Sequence, residues 1–74
     1  MSLKLNVVIE KDAHGYYAYC PELPGCQTQG VTFEKVLANI QEAAELYVET
    51  LPAKERKNIA RKQIVTTALE VAVA

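Results

Sequence analysis

Apolar and polar residues alternate near the start of the chain, over residues 3–10. One side of this stretch carries the apolar residues Leu3, Leu5, Val7 and Ile9. Such alternation is typical of a strand with one buried face. Asp12 and Gly15 follow, and both residue types favour a tight reversal of the chain. The pattern therefore predicts a first strand over residues 3–10 and an antiparallel hairpin into a second strand.

A corner rich in proline and glycine separates the next two predicted strand segments, residues 16–20 and 26–29. Pro21 and Pro24 fix φ and lack amide donors, so neither can occupy a central sheet ladder. Gly25 offers the positive φ that a tight reversal needs. Aromatic residues before the corner suit a pleated surface. We therefore expect strands two and three to flank this corner, with the rest of the chain packed around it.

From Thr32 the apolar period changes from two to 3.6. Thr32 is a good N-cap, and Glu34 lies in the first turn, where a negative charge complements the helix dipole. Pro52 disfavours helical geometry at the residue before it and marks the end. One stripe carries the apolar residues Phe33, Val36, Leu37, Ile40, Ala43, Ala44, Tyr47 and Leu51. The pattern predicts an amphipathic helix laid on the sheet, with Leu46 off the stripe as an exposed leucine or a partner contact.

Alternation returns over residues 64–73, with Val65, Thr67, Leu69, Val71 and Val73 on one side. This predicts a fourth strand and an α+β fold of order βββαβ. Two tight antiparallel connections followed by a helical crossover place the fourth strand parallel to the first, in a mixed four-stranded sheet of order 3-2-1-4. One helix covers one face, so the other face and two edges stay open. This predicts a homodimer or a binding surface; which of Tyr16, Tyr17 and Tyr19 point outward is left undecided.

Composition and charge add a basic segment to this picture. The 74 residues are 50% hydrophobic and 23% charged, an ordinary balance for one globular domain, and the net charge is −1. Residues 54–62 hold five basic residues against one acid: Lys54, Arg56, Lys57, Arg61 and Lys62. We interpret this segment as a solvated connector or as a nucleic-acid patch. No apolar run is long enough for a membrane span, and the first residues do not resemble a secretory signal, so we expect a cytoplasmic protein.

The residues needed for catalysis do not converge in the predicted fold. Cys20 and Cys26 have neither a redox nor a metal-site spacing, and His14 is the single histidine. The cysteines are either a reduced pair or a disulfide across the corner. Acids on the predicted strands are limited to Glu10 and Glu70, and the three glycines do not form a phosphate loop. We therefore expect no catalytic residue, no metal site, no cofactor and no enzymatic activity.

One motif resembles a known family. The run Tyr17-x-x-x-Pro21-x-Leu23-Pro24-Gly25-Cys26-x-Thr28-x-Gly30-x-Thr32, followed by a helix with Ala38 and Glu42-Ala43, is similar to HicB antitoxins. The resemblance implies a truncated ribonuclease H-like βββαβ fold without nuclease carboxylates. It also implies a non-catalytic protein that binds a small HicA-type mRNA interferase and masks its active site. Family members often append a DNA-binding segment; here we expect a single domain over residues 1–74 without one.

These observations give a first hypothesis and two rivals. The first is an antitoxin with a partner surface of aromatic and proline residues, which suits a basic ribonuclease. The partner-binding candidates are Tyr16, Tyr19, Glu22, Leu23 and Pro24, with Glu42, Glu45 and Glu49 as steering charges. Each of these residues also has a purely structural interpretation, as sheet packing or corner geometry. The rivals are a nucleic-acid-binding module using the basic segment and an orphan structural, regulatory or small-ligand subunit without a toxin.

Overall fold

Within residues 2–74, three strands and two helices follow one another in the order βββαα. The computed structural model describes residues 2–74; Met1, the first residue of the predicted domain, lies outside the described residues. The elements are β1 (Val8–Asp12), β2 (Gly15–Tyr19), β3 (Gln27–Gly30), α1 (Phe33–Glu49) and α2 (Ala53–Arg61). The strands form one antiparallel sheet in the order β1-β2-β3. The α+β class predicted from the sequence is confirmed.

The β1–β2 hairpin has the predicted antiparallel geometry. Asp12 pairs with Gly15 and Lys11 with Tyr16 at its closed end. The Asp12 carboxylate accepts a hydrogen bond of 2.8 Å from the His14 amide, which closes the two-residue turn. His14 lies at the tip of this turn and is exposed to solvent.

The corner between β2 and β3 is closed by three backbone hydrogen bonds. Cys20 donates to the Cys26 carbonyl over 3.1 Å, Leu23 to the Cys20 carbonyl over 3.0 Å, and Cys26 to the Leu23 carbonyl over 3.0 Å. Gly25 adopts a φ of 83°, the positive value predicted for this reversal. The two prolines lie outside the strands, so β2 and β3 flank the corner as predicted.

Helix α1 begins and ends where the sequence indicates. The Thr32 hydroxyl accepts a hydrogen bond of 3.1 Å from the Lys35 amide, which confirms it as the N-cap. The helix ends at Glu49, three residues before Pro52. It packs on β2 and β3, and its start lies so close to β3 that a Cβ on Gly30 would approach the Val36 nitrogen to 2.6 Å. The buried core comprises Ala18, Cys20, Leu23, Cys26, Val36 and Ile40.

The predicted fourth strand does not form within the chain. Residues 62–74 contain no strand, and the first strand spans Val8–Asp12 rather than residues 3–10. The mixed four-stranded sheet of order 3-2-1-4 is therefore absent, and the three strands present are antiparallel. Alternation predicts which face a strand would bury, but a strand also needs a neighbour for its backbone groups. Neither residues 2–7 nor residues 63–74 have a neighbouring strand in the described chain.

The basic segment is a helix rather than a connector. α2 spans Ala53–Arg61, begins after Pro52 and has Glu55 in its first turn and Arg61 in its last. Both charges complement the helix dipole. Ile59 is half-buried against the core and is its main apolar contact. One large apolar residue gives no helical period in the sequence, which explains why the prediction missed this helix.

Candidate partner-binding face

The two faces of the sheet carry different tyrosines. Tyr16 faces α1, where its ring lies edge-to-face with that of Phe33, at 6.3 Å between centroids and an angle of 75°. The Lys11 ammonium lies 5.6 Å from the centroid of the same ring. Ala18, two residues further along β2, is fully buried beneath the helix. Tyr16 is therefore a packing residue of the helix-covered face.

Tyr17 and Tyr19 lie on the opposite face of β2, because successive side chains of a strand alternate between faces. Their ring centroids are 5.9 Å apart. The Tyr17 hydroxyl donates a hydrogen bond of 2.9 Å to the Gln27 side-chain oxygen. Gln27 pairs with Tyr19 across the β2–β3 ladder and therefore shares this face. Since α1 packs on the other side, both tyrosines stay half-exposed.

A shallow groove of about 420 Å³ joins these tyrosines to the corner. Its lining includes five residues that we call the tyrosine face: Tyr17, Tyr19, Pro21, Pro24 and Gln27. The Tyr47 hydroxyl of α1 donates a hydrogen bond of 2.9 Å to the Pro24 carbonyl, which holds the corner against the helix. The tyrosine face is thus a concave, semi-rigid surface with aromatic walls and a proline rim.

Two predicted partner-binding residues are buried instead. Leu23 belongs to the core, and Glu22 is only 4% exposed. The Glu22 carboxylate accepts hydrogen bonds from the Asn6 side-chain amide, at 2.7 Å, and from the Asn6 backbone, at 3.1 and 3.2 Å. These contacts tie the corner to the residues before β1. Of the predicted set, Tyr19 and Pro24 belong to the tyrosine face, while Tyr16, Glu22 and Leu23 do not.

Opposing effects act on the pKa of Glu22. Burial raises it, but the hydrogen bonds donated by the Asn6 side chain and backbone outweigh burial, and the pKa lies below its ordinary value. The carboxylate is therefore charged at neutral pH. A charged, hydrogen-bonded acid inside the corner acts as an anchor, since its oxygens already have donors.

The two cysteines are free thiols in the interior of the corner. Burial, together with the negative charge of Glu22, raises the pKa of Cys20 to about 11. Burial also raises the pKa of Cys26. Both side chains are therefore protonated at neutral pH. A buried protonated thiol is a poor nucleophile, so the cysteines act as small core residues.

The acids predicted to steer a partner lie in the helix layer. Glu42, Glu45 and Glu49 are exposed on α1, which covers the face opposite the tyrosine face. None of them lines the groove of the tyrosine face. An exposed acid that does share the tyrosine face is Glu10, which pairs with Tyr17 in the β1–β2 ladder. The sequence prediction did not include Glu10 and Tyr17 among the partner-binding candidates, because the register of the hairpin assigns the faces and the sequence does not give it.

The basic residues of the predicted nucleic-acid patch are all exposed: Lys54, Arg56, Lys57, Arg61 and Lys62. Spacings of three and four residues place Lys54, Lys57 and Arg61 on one side of α2. Ile59, which contacts the core, lies on the other side. The helix therefore presents three cations outward.

Groups capable of metal chemistry are not clustered in residues 2–74. No three side chains of His, Cys, Asp or Glu in this range could together hold a metal ion. Neither helix described by the structure is long and apolar enough to cross a bilayer. What the described residues do offer is a small α+β domain with a concave surface that carries tyrosine and proline side chains.

Comparison with known proteins specifies this class further. Residues 5–72 match the family described as the HicB-like antitoxin of bacterial toxin–antitoxin systems. Because the match covers nearly the whole chain, the chain belongs to this family. The resemblance stated from the corner motif is confirmed.

Several relatives are similar over most of their length. A UPF0150 protein of Helicobacter pylori is 46% identical over 70 residues, which cover 95% of this chain and 97% of the relative. A UPF0150 protein of Synechocystis is 43% identical over 69 residues, covering 92% and 86%. One of Thermoplasma acidophilum is 46% identical over 56 residues, covering 74% and 81%. No solved structure shows a significant match.

Proposed function

We propose that this chain is the antitoxin of a type II toxin–antitoxin pair and that its tyrosine face binds a HicA-type mRNA interferase, covering the active site of that enzyme. Membership of the HicB-like antitoxin family supports the antitoxin role. The observation that carries the binding mode is the half-exposed tyrosine pair beside the proline corner, on the face that α1 leaves open.

The chemistry of the tyrosine face suits a protein partner. Tyrosine contributes a large contact area with few rotatable bonds, and aromatic residues are enriched among the energetic centres of interfaces. The Tyr17 ring is already held by Gln27, so binding costs little side-chain entropy. Pro21 and Pro24 add rigidity at the edge of the groove. The surface is thus organised before the partner arrives.

Electrostatics favour a basic partner. Glu10 adjoins the tyrosine face, whereas the acids of α1 lie on the far side of the sheet, where salt screens their charge more strongly. Glu10 therefore acts at short range, and Glu42, Glu45 and Glu49 contribute a weaker, long-range attraction. A ribonuclease that binds RNA presents a positive surface, which these charges complement.

The proposal includes three further properties. The role is binding without catalysis, in the cytoplasm, where an mRNA-cleaving partner acts. The chain associates with itself as a homodimer. Occlusion requires no group of this chain to react, in agreement with the protonated, buried cysteines.

The proposal predicts that a small basic protein is encoded beside this chain's reading frame, and the test uses that protein. We expect Tyr17→Ala and Tyr19→Ala each to weaken its binding about tenfold or more by calorimetry and to abolish the rescue of toxin-arrested growth. Leu46→Ala is the matched control, because Leu46 is a large, exposed apolar residue on α1, away from the tyrosine face. Unchanged affinity in both tyrosine variants, with folding intact, contradicts the proposed surface.

The alternative function is nucleic-acid binding through α2, favoured by the three cations on its outward side. Such binding would weaken steeply with rising salt, since each neutralised phosphate releases counterions. Replacing Lys54, Lys57 and Arg61 by glutamine would abolish it and would leave toxin binding unchanged. Salt-sensitive RNA or DNA binding that these substitutions abolish, without any toxin binding, would favour nucleic-acid binding over the antitoxin function.

A further inference from the structure

The carboxyl-terminal residues have the pattern of a strand but lack a sheet. No backbone–backbone hydrogen bond joins residues 63–74 to the rest of residues 2–74. Their apolar side is open to solvent, with Leu69 77% and Val73 94% exposed. Exposure of apolar side chains to water is unfavourable. An alternating segment whose backbone groups are unpaired can pair with the edge of a sheet.

A matching unfilled position exists at the β1 edge of the sheet. α1 packs on β2 and β3, which leaves the residues before β1 uncovered on their outer side. A groove of about 430 Å³ lies there. It is lined by Leu3, Leu5 and Val7 on the chain side and by Leu37, Ala44 and Val48 on the helix side. An added strand with apolar residues at alternate positions would fill it.

Backbone polarity at this edge also suits an added strand. The Asn6 amide points towards the corner, where it donates to Glu22. Amide groups of an extended chain alternate in direction, so those of Leu5 and Val7 point away from the corner, towards the open edge. Neither donates to another backbone group in the described chain. The edge therefore offers unpaired donors at the spacing of a strand.

The path of the chain directs residues 63–74 away from their own groove. α2 adds about 13 Å of helix after α1 and leads into the exposed segment. The radius of gyration is 14.4 Å, above the roughly 11 Å of a compact domain of this length, and the longest dimension is 47 Å. The segment is thus an arm that extends beyond the domain.

We propose that residues 64–73 of one copy form the fourth strand of a second copy, paired with residues 3–7 there, and that the exchange is reciprocal. Val65, Leu69 and Val71 enter the groove beneath α1 of the other copy. Lys4 and Glu70 fall on the opposite face, so the exchange brings unlike charges to the same side of the sheet. The result is a closed twofold dimer in which each sheet has four strands drawn from two chains.

The first test is the oligomeric state by sedimentation at tens of micromolar. We expect the full chain to be a dimer and Leu69→Asp to weaken dimerisation about a hundredfold or more, because the substitution puts a charge in the groove. Leu46→Asp is the matched control, because it makes the same substitution at an exposed leucine of α1, and it should remain dimeric. A monomeric full chain, or a Leu69→Asp variant that dimerises like the full chain, overturns the proposal.

A complementation test locates the two halves of the contact. Val7→Asp damages the accepting edge and keeps the arm, whereas a chain ending at Lys62 keeps the edge and lacks the arm. Each should be monomeric alone, and an equimolar mixture should form a one-to-one complex. Circular dichroism establishes that both are folded. Folded variants that do not combine, or a truncated chain that still dimerises, show that the arm of one copy does not occupy the edge of another. The strand exchange rests on the homodimer proposed above. Toxin binding enters neither test, so a failure of the strand exchange is distinguishable from a failure of the antitoxin role.

Discussion

Replacement of Glu22 by glutamine removes the charge that ties the corner to the residues before β1. The buried carboxylate accepts hydrogen bonds from the Asn6 side chain at 2.7 Å and from its backbone at 3.1 Å. Glutamine has nearly the same shape, but it carries no charge and places an amide where one carboxylate oxygen accepted. The variant therefore isolates the electrostatic part of the contact from packing.

The magnitude follows from these hydrogen bonds. A hydrogen bond to a charged group contributes about 1.5–3 kcal/mol, and glutamine retains one acceptor, so we expect a loss of about 2–3 kcal/mol. In a domain of this size 1 kcal/mol corresponds to about 4–8 °C in Tm, which predicts a decrease of roughly 10–20 °C. Thermal and urea unfolding followed by circular dichroism, at equal protein concentration, measure both quantities.

The pH dependence gives a second, independent readout. The folded pKa of Glu22 lies below the ordinary 4.5, so its contribution to stability is present above pH 4.5 and is lost as the pH falls through the folded value. The Tm difference between Glu22→Gln and the unaltered chain should therefore be full at neutral pH and shrink at low pH. Glu42→Gln, on the exposed side of α1, should change stability by less than about 0.5 kcal/mol. If Glu22→Gln and Glu42→Gln unfold together at neutral pH, the anchoring role of Glu22 is wrong.

Two further predictions concern the core. Cys20 and Cys26 should resist labelling by a maleimide at neutral pH in the folded chain and should react in denaturant; rapid labelling of the folded chain would contradict the description of buried thiols. Because folding raises the pKa of Cys20 from 9.0 to about 11, the free energy of unfolding should also fall as the pH rises between these values. Gly30→Ala should cost about 2–4 kcal/mol in urea unfolding, since the added methyl would meet the Val36 backbone at 2.6 Å, and a loss under about 0.5 kcal/mol would show that α1 moves aside freely.

Local features were predictable from the sequence because each rests on a few neighbouring residues. Thr32 caps α1, and Asp12 closes the hairpin. The corner follows from two prolines and Gly25, whose backbone preferences do not depend on the rest of the fold. The family could also be recognised, because its motif lies in this corner. α2 escaped prediction, since its one half-buried apolar residue gives no period.

Only the tertiary structure decided which residues share a surface. The hairpin register assigns Tyr16 to the helix and Tyr17 to the open face, and alternation by itself does not state which face is covered. The sequence suggests that Glu22 is a surface acid, but in the structure its carboxylate is buried and accepts a hydrogen bond from Asn6, sixteen residues away. Residues 64–73 have the pattern of a strand, yet a strand needs backbone partners, and the position of a partner is a property of the whole fold.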